Sequence, residues 1–225
     1  MSTKILVANR GEIAIRIIRA IQELSYEAVA IFETPDHESR HIRIANEAVW
    51  IGDGPRKDYL NIEKVIKAAK RSGAIAIHPG YGFLAENPLL AKACEDAGLI
   101  FIGPTSDVIE KLGNKVTARK IMAEAGIPMV PGTENLSPGD EGLRQARAFA
   151  EKYGYPLMLK ATAGGGGRGI RRIENDKDLL EQYPVARKEA LAAFNDDSVY
   201  LEKVVINPKH VEVQIIADNK GKTVH

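Results

Sequence analysis

The chain contains one cysteine, Cys94, among 225 residues. A single thiol cannot close a disulfide within the chain, so the fold must rest on burial and hydrogen bonding. Cys94 ends the helix-like run at 89–94, LLAKAC, and reads as a small core residue. Neither charge is in excess: 31 Lys and Arg face 30 Asp and Glu, for a formal net charge of +1. The basic residues are scattered, which excludes a general pull toward nucleic acid or membrane. No apolar run approaches the roughly 20 residues of a membrane-spanning helix. No apolar signal segment precedes the first strand pattern at Lys4, so a reduced, cytoplasmic setting is expected. Internal repeats are absent. What remains is 44% hydrophobic content, enough for one large domain or two small ones.

The one compositional oddity is a run of four consecutive glycines, Gly164, Gly165, Gly166 and Gly167, followed by Arg168 and Gly169. Apolar stretches flank it, LMLKA at 157–161 and GIRRI at 169–173, and each reads as a strand. Glycine reaches positive φ and lets the backbone approach a ligand, and successive N–H groups form a nest for an anion. A mobile hairpin without a ligand is the bland alternative, but four glycines lose much chain entropy on ordering. The run satisfies G-x-G-x-x-G, as any poly-Gly stretch does. A dinucleotide fingerprint also needs a helix to open at the loop, and 170–173 opens none. A Walker A loop needs Lys-Ser or Lys-Thr after the glycines, and neither follows. The remaining design is a strand–loop–strand lid over a triphosphate, with Lys160 at the end of the first strand placed to reach a phosphate oxygen.

From the N-terminus, residues 4–8 read as a strand buried on both faces. Ile13, Ile17, Ile18, Ile21 and Leu24 then recur at helical spacing, and 28–32 reads as the next strand. This is a βαβ unit, parallel by necessity of its crossover. Strands follow at 47–51, 74–77 and 99–102. Helices follow at 61–71, capped by Asn61 and ended near Gly73, and at 88–97. Such alternation predicts a doubly wound α/β sheet, which binds ligands beyond the carboxyl ends of its strands. Two loops there stand out, NRGE at 9–12 and HPGYGFLAEN at 78–87. The second reads equally as a loop stiffened by Pro79 and its glycines, and His78 alone reads as a satisfied core histidine. After Pro104 the pattern changes to short helices at 106–112 and 115–125 and a turn-rich linker at 131–139. A helix at 140–153, the glycine lid, a helix at 176–194, strands at 199–203 and 211–217, and a hairpin turn at 218–221 complete the chain. The last return strand stops at His225, so the chain reads as a piece of a longer protein.

The wording of several of these stretches resembles the biotin carboxylase family. KILVANRGEIA at 4–14 resembles the opening of those enzymes, and HPGYGFL at 78–84 with Glu86 and Asn87 resembles a second stretch. The glycine run behind Lys160 looks like their ATP-grasp lid, and Leu201, Glu202, Lys203, His210, Val211 and Glu212 complete the set. The likeness covers essentially the whole chain. It implies an N-terminal Rossmann-like α/β domain at 1–104, linking helices at 105–130, and part of an α+β ATP-grasp domain, truncated, at 131–225. It implies carboxylation of biotin, in which ATP activates bicarbonate as carboxyphosphate and the CO2 passes to the ureido nitrogen.

By resemblance, Lys115 and Lys160 approach the phosphates, and glycines 164–167 and 169 supply N–H donors. Lys115 opens a helix, where a cation is dipole-unfavourable, which favours a partner anion. The run Glu202, Lys203, Val204 and Val205 looks like the segment that meets adenine through backbone groups, with Glu202 and His210 touching base and ribose. His210 reads equally as an exposed loop residue. In the family Mg2+ is held by two glutamates and an asparagine on later strands, and the groups acting on bicarbonate and biotin also come later. No catalytic residue and no metal ligand is therefore expected within this chain, which alone is expected to be inactive. The implied partners are a biotinyl carrier domain and a carboxyltransferase, in a parent that is a homodimer. Two other readings stand beside this one: a module that binds adenine nucleotide without turnover, or another ATP-grasp carboxylate–amine ligase. A structural part in subunit association is a third.

Overall fold

Ile5, Leu6 and Val7 form an apolar run, of which Leu6 and Val7 are fully buried on opposite faces, and their strand lies in the middle of a sheet. The computed structural model describes residues 3–163, 169–218 and 220–225. The chain divides into two units, 1–118 and 119–225.

In the first unit, β1 (Lys4–Val7), β2 (Glu27–Glu33), β3 (Glu47–Gly52), β4 (Ala76–His78) and β5 (Ile100–Phe101) form one parallel sheet, ordered β3-β2-β1-β4-β5. Successive side chains of a strand face opposite ways. Val7, Ala28 and Ala30 therefore pack with Ala14, Ile17, Ile18 and Ile21 of α1 (Gly11–Glu23). Leu6, Val29 and Ile31 pack on the other face, with Val65, Ala68 and Ala69 of α3 (Ile62–Ser72) and Leu90 and Cys94 of α4 (Pro88–Asp96). Both faces are covered, so the sheet is doubly wound as the alternation predicted. Each fully buried Ile or Leu contributes about 1.5–3 kcal/mol. The ends of α3 follow the sequence reading: Asn61 accepts from the Lys64 N–H at 3.0 Å, and Gly73 takes φ +72° beyond the last turn.

A 3-10 turn at Thr34–Asp36 and α2 (Arg40–Ile44) lie between β2 and β3, where no element was expected. Two further helices follow, α5 (Ser106–Gly113) and α6 (Lys115–Glu124), and α6 runs from the first unit into the second.

The second unit holds α7 (Gly139–Tyr153), β6 (Leu157–Ala161), β7 (Ile170–Ile173), α8 (Asp176–Phe194) and β8 (Val199–Lys203). The strands form an antiparallel sheet in the order β7-β6-β8. Leu157, Leu159, Ile173, Val199 and Leu201 share its inner face with Ala146 and Phe149 of α7 and Leu179 and Ala190 of α8. One strand expectation fails. Residues 211–217 alternate like a strand, but only β9 (Ile216–Ala217) forms one, paired with β10 (Thr223–Val224) across the predicted hairpin turn. A strand needs a ladder partner. Among the described residues none pairs with 211–215, and Val211 is 80% exposed.

Candidate functional site

The strand order reverses at β1 and β4, so the loops after these strands lie where doubly wound sheets form their crevice. They are the two loops marked by the sequence, and the structure ties them together. Asn9, 3% exposed, donates from Nδ2 to the carbonyls of Pro79 and Tyr81 at 2.8 Å each. Its Oδ1 accepts the Arg10 N–H at 2.9 Å. The Tyr81 hydroxyl donates to the Glu12 carboxylate. Gly80 sits at φ +67°, and a Cβ there would lie 2.9 Å from Asn9 Nδ2. The Gly80 N–H donates to His78 Nδ1 at 3.1 Å, and burial pushes His78 below its ordinary pKa. His78 is thus a neutral ring accepting from its own loop, the bland alternative. These side chains serve each other.

Behind them lies a buried ionic knot that the sequence did not suggest. Arg10 donates Nε to Asp36 Oδ2 at 2.7 Å and Nη2 to Oδ1, and the Tyr59 hydroxyl donates to Oδ2 at 2.8 Å. Arg10 and Tyr59 hold the Asp36 carboxyl below the usual carboxylate range. His41 is buried beside it, with Nε2 3.3 Å from the Ile31 carbonyl and Nδ1 lacking a partner. Burial lowers its pKa.

The second unit carries the predicted lysine. β6 alternates, so Leu157 and Leu159 face α7 and α8, and Met158 and Lys160 face away. Met158 pairs with Glu202 and Lys160 with Tyr200 across β8, which puts Lys160 and Glu202 diagonal on one face. Long side chains reach across such a diagonal. Lys160 Nζ donates to Glu202 Oε2, and the two side chains are 25% and 16% exposed. Lys160 is therefore paired rather than solvated. Glu202 Oε1 accepts from Arg119 Nη1 at 2.8 Å, and Arg119 Nη2 donates to the Val130 carbonyl at 2.7 Å. Arg119 was not predicted. Its one sequence signal is the spacing of four from Lys115, which places both on one face of α6.

The remaining predicted residues divide. Gly164, Gly165, Gly166 and Gly167 lie outside the described residues. Gly169 takes φ +72° and its carbonyl accepts the Ala161 N–H at 2.8 Å, carrying the β6–β7 ladder one step toward the glycines. Lys115 opens α6, after Asn114 Oδ1 accepts the Val116 and Thr117 N–H groups. Lys203 uses Nζ on the carbonyls of Gly154 and Tyr155 and its N–H on Pro131. The Val204 N–H points to the Pro156 carbonyl at 3.4 Å. Val205 is exposed, and His210 is 81% exposed with Nε2 2.8 Å from Glu212. Lys160 and Glu202 are thus brought together, and His210 is not brought to them. A cavity of about 380 Å³ elsewhere in this unit, lined by Leu143, Tyr183, Pro184 and Leu191 among others, holds none of the predicted residues. Among the described residues no group of three or more His, Cys, Asp or Glu is arranged to hold a metal ion. No helix among them is long and apolar enough to cross a membrane.

Residues 1–109 match the family described as "Biotin carboxylase, N-terminal domain", and residues 114–225 match "Carbamoyl-phosphate synthase L chain, ATP binding domain". The chain is 46% identical to biotin carboxylase 1 of Bacillus subtilis and 48% identical to biotin carboxylase of Pseudomonas aeruginosa. Each alignment covers 100% of this chain and 50% of the relative, so the chain spans about half the length of the curated relatives it matches. Among solved structures, it is similar to the biotin carboxylase–βγ-ATP complex of Campylobacter jejuni, with TM-score 0.92 and 41% identity, covering 100% of this chain and 50% of that one. It is also similar to the biotin carboxylase domain dimer of the 2-oxoglutarate carboxylase of Hydrogenobacter thermophilus in complex with MgADP, ADP and bicarbonate. There the TM-score is 0.90 and the identity 46%, covering 100% of this chain and 49% of that one.

Proposed function

This chain belongs to the biotin carboxylase family, and from that premise we propose that it supplies the nucleotide-binding lid of an ATP-dependent biotin carboxylase. The complete enzyme converts ATP, bicarbonate and the biotin of a carrier domain to carboxybiotin, ADP and phosphate. It works in the cytoplasm, as a homodimer, beside a carboxyltransferase. Within the chain, 1–104 is the N-terminal α/β domain, 105–130 the linking helices, and 131–225 part of the ATP-grasp domain.

The observation that carries this reading is the Lys160–Glu202 pair on the sheet face turned away from α7 and α8, where β6 leads in sequence into the glycines. A half-buried ammonium on a strand that leads, in sequence, into a glycine run suits a polyphosphate. Glu202 offers a carboxylate acceptor to the base. The N–H groups of Lys203 and Val204 are engaged within the chain, so base contacts from this segment fall to its carbonyl oxygens and to Val205. His210, on the exposed segment after β8, must be brought in to reach a ribose. Lys115 and Lys160 serve the phosphates, and Gly164 to Gly167 with Gly169 cover them.

Phosphoryl transfer in such enzymes uses magnesium to neutralise charge. Among the described residues no group of three or more His, Cys, Asp or Glu gathers that could hold the ion by protein ligands alone. The test separates binding from turnover. The 225-residue chain should bind ATP but release no ADP in a bicarbonate-dependent way with free biotin, and release should appear when a complete carboxylase is built on it. Turnover by the chain alone, near that of the complete enzyme, would overturn the division of labour. A complete protein that binds no ATP would overturn the reading itself.

A further inference from the structure

Glu202 stands between two cations that are held to different degrees. Arg119 is fixed at three points. Nη1 donates to Glu202 Oε1 at 2.8 Å and Nη2 donates to the Val130 carbonyl at 2.7 Å. The guanidinium also lies against Gly132, where a Cβ would come within 2.7 Å of Nη2, so only a glycine leaves it this place. Gly132 is itself bridged to Glu202 through the backbone. Lys160 holds the other carboxylate oxygen, Oε2, through one ammonium on a flexible stem.

The two bonds differ in what can replace them. A guanidinium forked between a carboxylate and a carbonyl loses two charge-assisted bonds on leaving. The ammonium can exchange one anion for another. For Lys160 to reach a phosphate it must give up or share its bond to Glu202. That is easy only if the carboxylate, 16% exposed, keeps another cation. Two cations on one carboxylate also repel each other, so Arg119 loosens Lys160 as well as standing in for it. With Arg119 removed, Glu202 would be a poorly solvated charge with Lys160 as its partner, and such a charge holds what remains strongly.

We infer that Arg119 is a positioning residue: the permanent counter-ion of Glu202, which releases Lys160 to the phosphates of an incoming nucleotide. This rests on the reading of Lys160 as a phosphate contact given above. It makes a prediction that a scaffolding role does not. The effect of losing Arg119 should depend on the charge of Glu202.

The experiment is ATP titration calorimetry on a complete carboxylase carrying this chain, in four forms: unaltered, Arg119→Met, Glu202→Gln, and the double variant. Arg119→Met should weaken ATP about tenfold, the cost of one charge-assisted bond held elsewhere. In the Glu202→Gln background the same change should weaken ATP less than about twofold, a coupling of the size that contacting residues show. Arg119→Lys should recover part of the loss. Arg119→Gln keeps a donor without the charge and carries the same expectation if Arg119→Met does not fold. Equal losses in both backgrounds, or no loss in either, would overturn the inference. Lys160→Ala separates this from the site reading. If it weakens ATP and Arg119→Met does not, the inference alone fails. If it leaves ATP affinity unchanged, the phosphate role of Lys160 fails and the inference falls with it.

Discussion

A Cβ on Gly80 would lie 2.9 Å from the side-chain nitrogen of Asn9, the atom that joins the loop after β1 to the loop after β4. Gly80→Ala therefore meets two obstacles, a left-handed backbone at φ +67° and the displaced amide. It should cost about 1–3 kcal/mol, in the range for strained backbone and overpacking. Asn9→Ala removes the partner of two carbonyls and one N–H in a buried position and should cost a similar ~1–3 kcal/mol. Urea unfolding measures both. The double variant should cost less than the sum, because each disrupts the same joint.

Acid should weaken the first unit before most carboxylates titrate. His41 is buried and its folded pKa lies below the ordinary value. Its facing charges are Asp36, which favours the protonated ring, and Arg10, which opposes it. Between that folded pKa and the unfolded value of about 6.5, the unfolded chain binds a proton that the folded chain does not, so stability falls as pH falls through this window. Asp36, whose folded pKa is also lowered, adds the same sign at lower pH: its contribution is present above the unfolded carboxyl pKa and is lost toward the folded one. Urea midpoints across pH should show this decline. In His41→Gln the upper part of it should become shallower, with buried His78 supplying the remainder. A pH-independent midpoint through the histidine range would contradict the account.

Lys160→Ala should lose a phosphate contact of about 1.5–3 kcal/mol, as for a hydrogen bond to a charged group. It should leave the fold nearly intact, because Arg119 continues to neutralise Glu202. ATP titration and thermal melting together decide the matter. A variant that melts well below the parent and binds ATP normally would make this strand structural.

Gly169→Val should damage the start of β7. The position takes φ +72°, and a Cβ would come within 2.9 Å of the Ala161 Cβ and 3.4 Å of the Phe194 ring. A β-branched residue resists that backbone and opens the β6–β7 pair, at about 1–3 kcal/mol. Gly166→Val, argued from the sequence alone, should impair ATP affinity with less effect on melting. Calorimetric titration set against melting temperature distinguishes the two positions.

Much of the fold could be read because its signals are local. Asn61 and Gly73 bracket α3 by their own side-chain and backbone chemistry, and the apolar run that follows Lys4 marks β1, with Leu6 and Val7 buried. Residues 211–215 show the limit of that reading, since alternation marks a strand only where a neighbour accepts its ladder. In the candidate site, Lys160 was marked by charge standing next to glycine, and the structure pairs it with Glu202. Arg119 was not marked, because it meets Glu202 from 83 residues away, and an arginine on a short helix reads as a solvated one. Glu33 escaped for the same reason. This buried carboxylate accepts the N–H groups of Arg56, Asp58 and Tyr59, shaping a loop that is remote in sequence.

Cys94 lies fully buried on α4, and burial pushes its thiol up to about 11. The folded chain thus presents no reactive sulfur of its own to an alkylating dye. A cysteine placed on the surface, for instance on the exposed segment at 205–213, would be the one position a fluorophore finds. The 225-residue chain is thus suited to single-site labelling, and its response to added nucleotide can be followed by light without first removing Cys94.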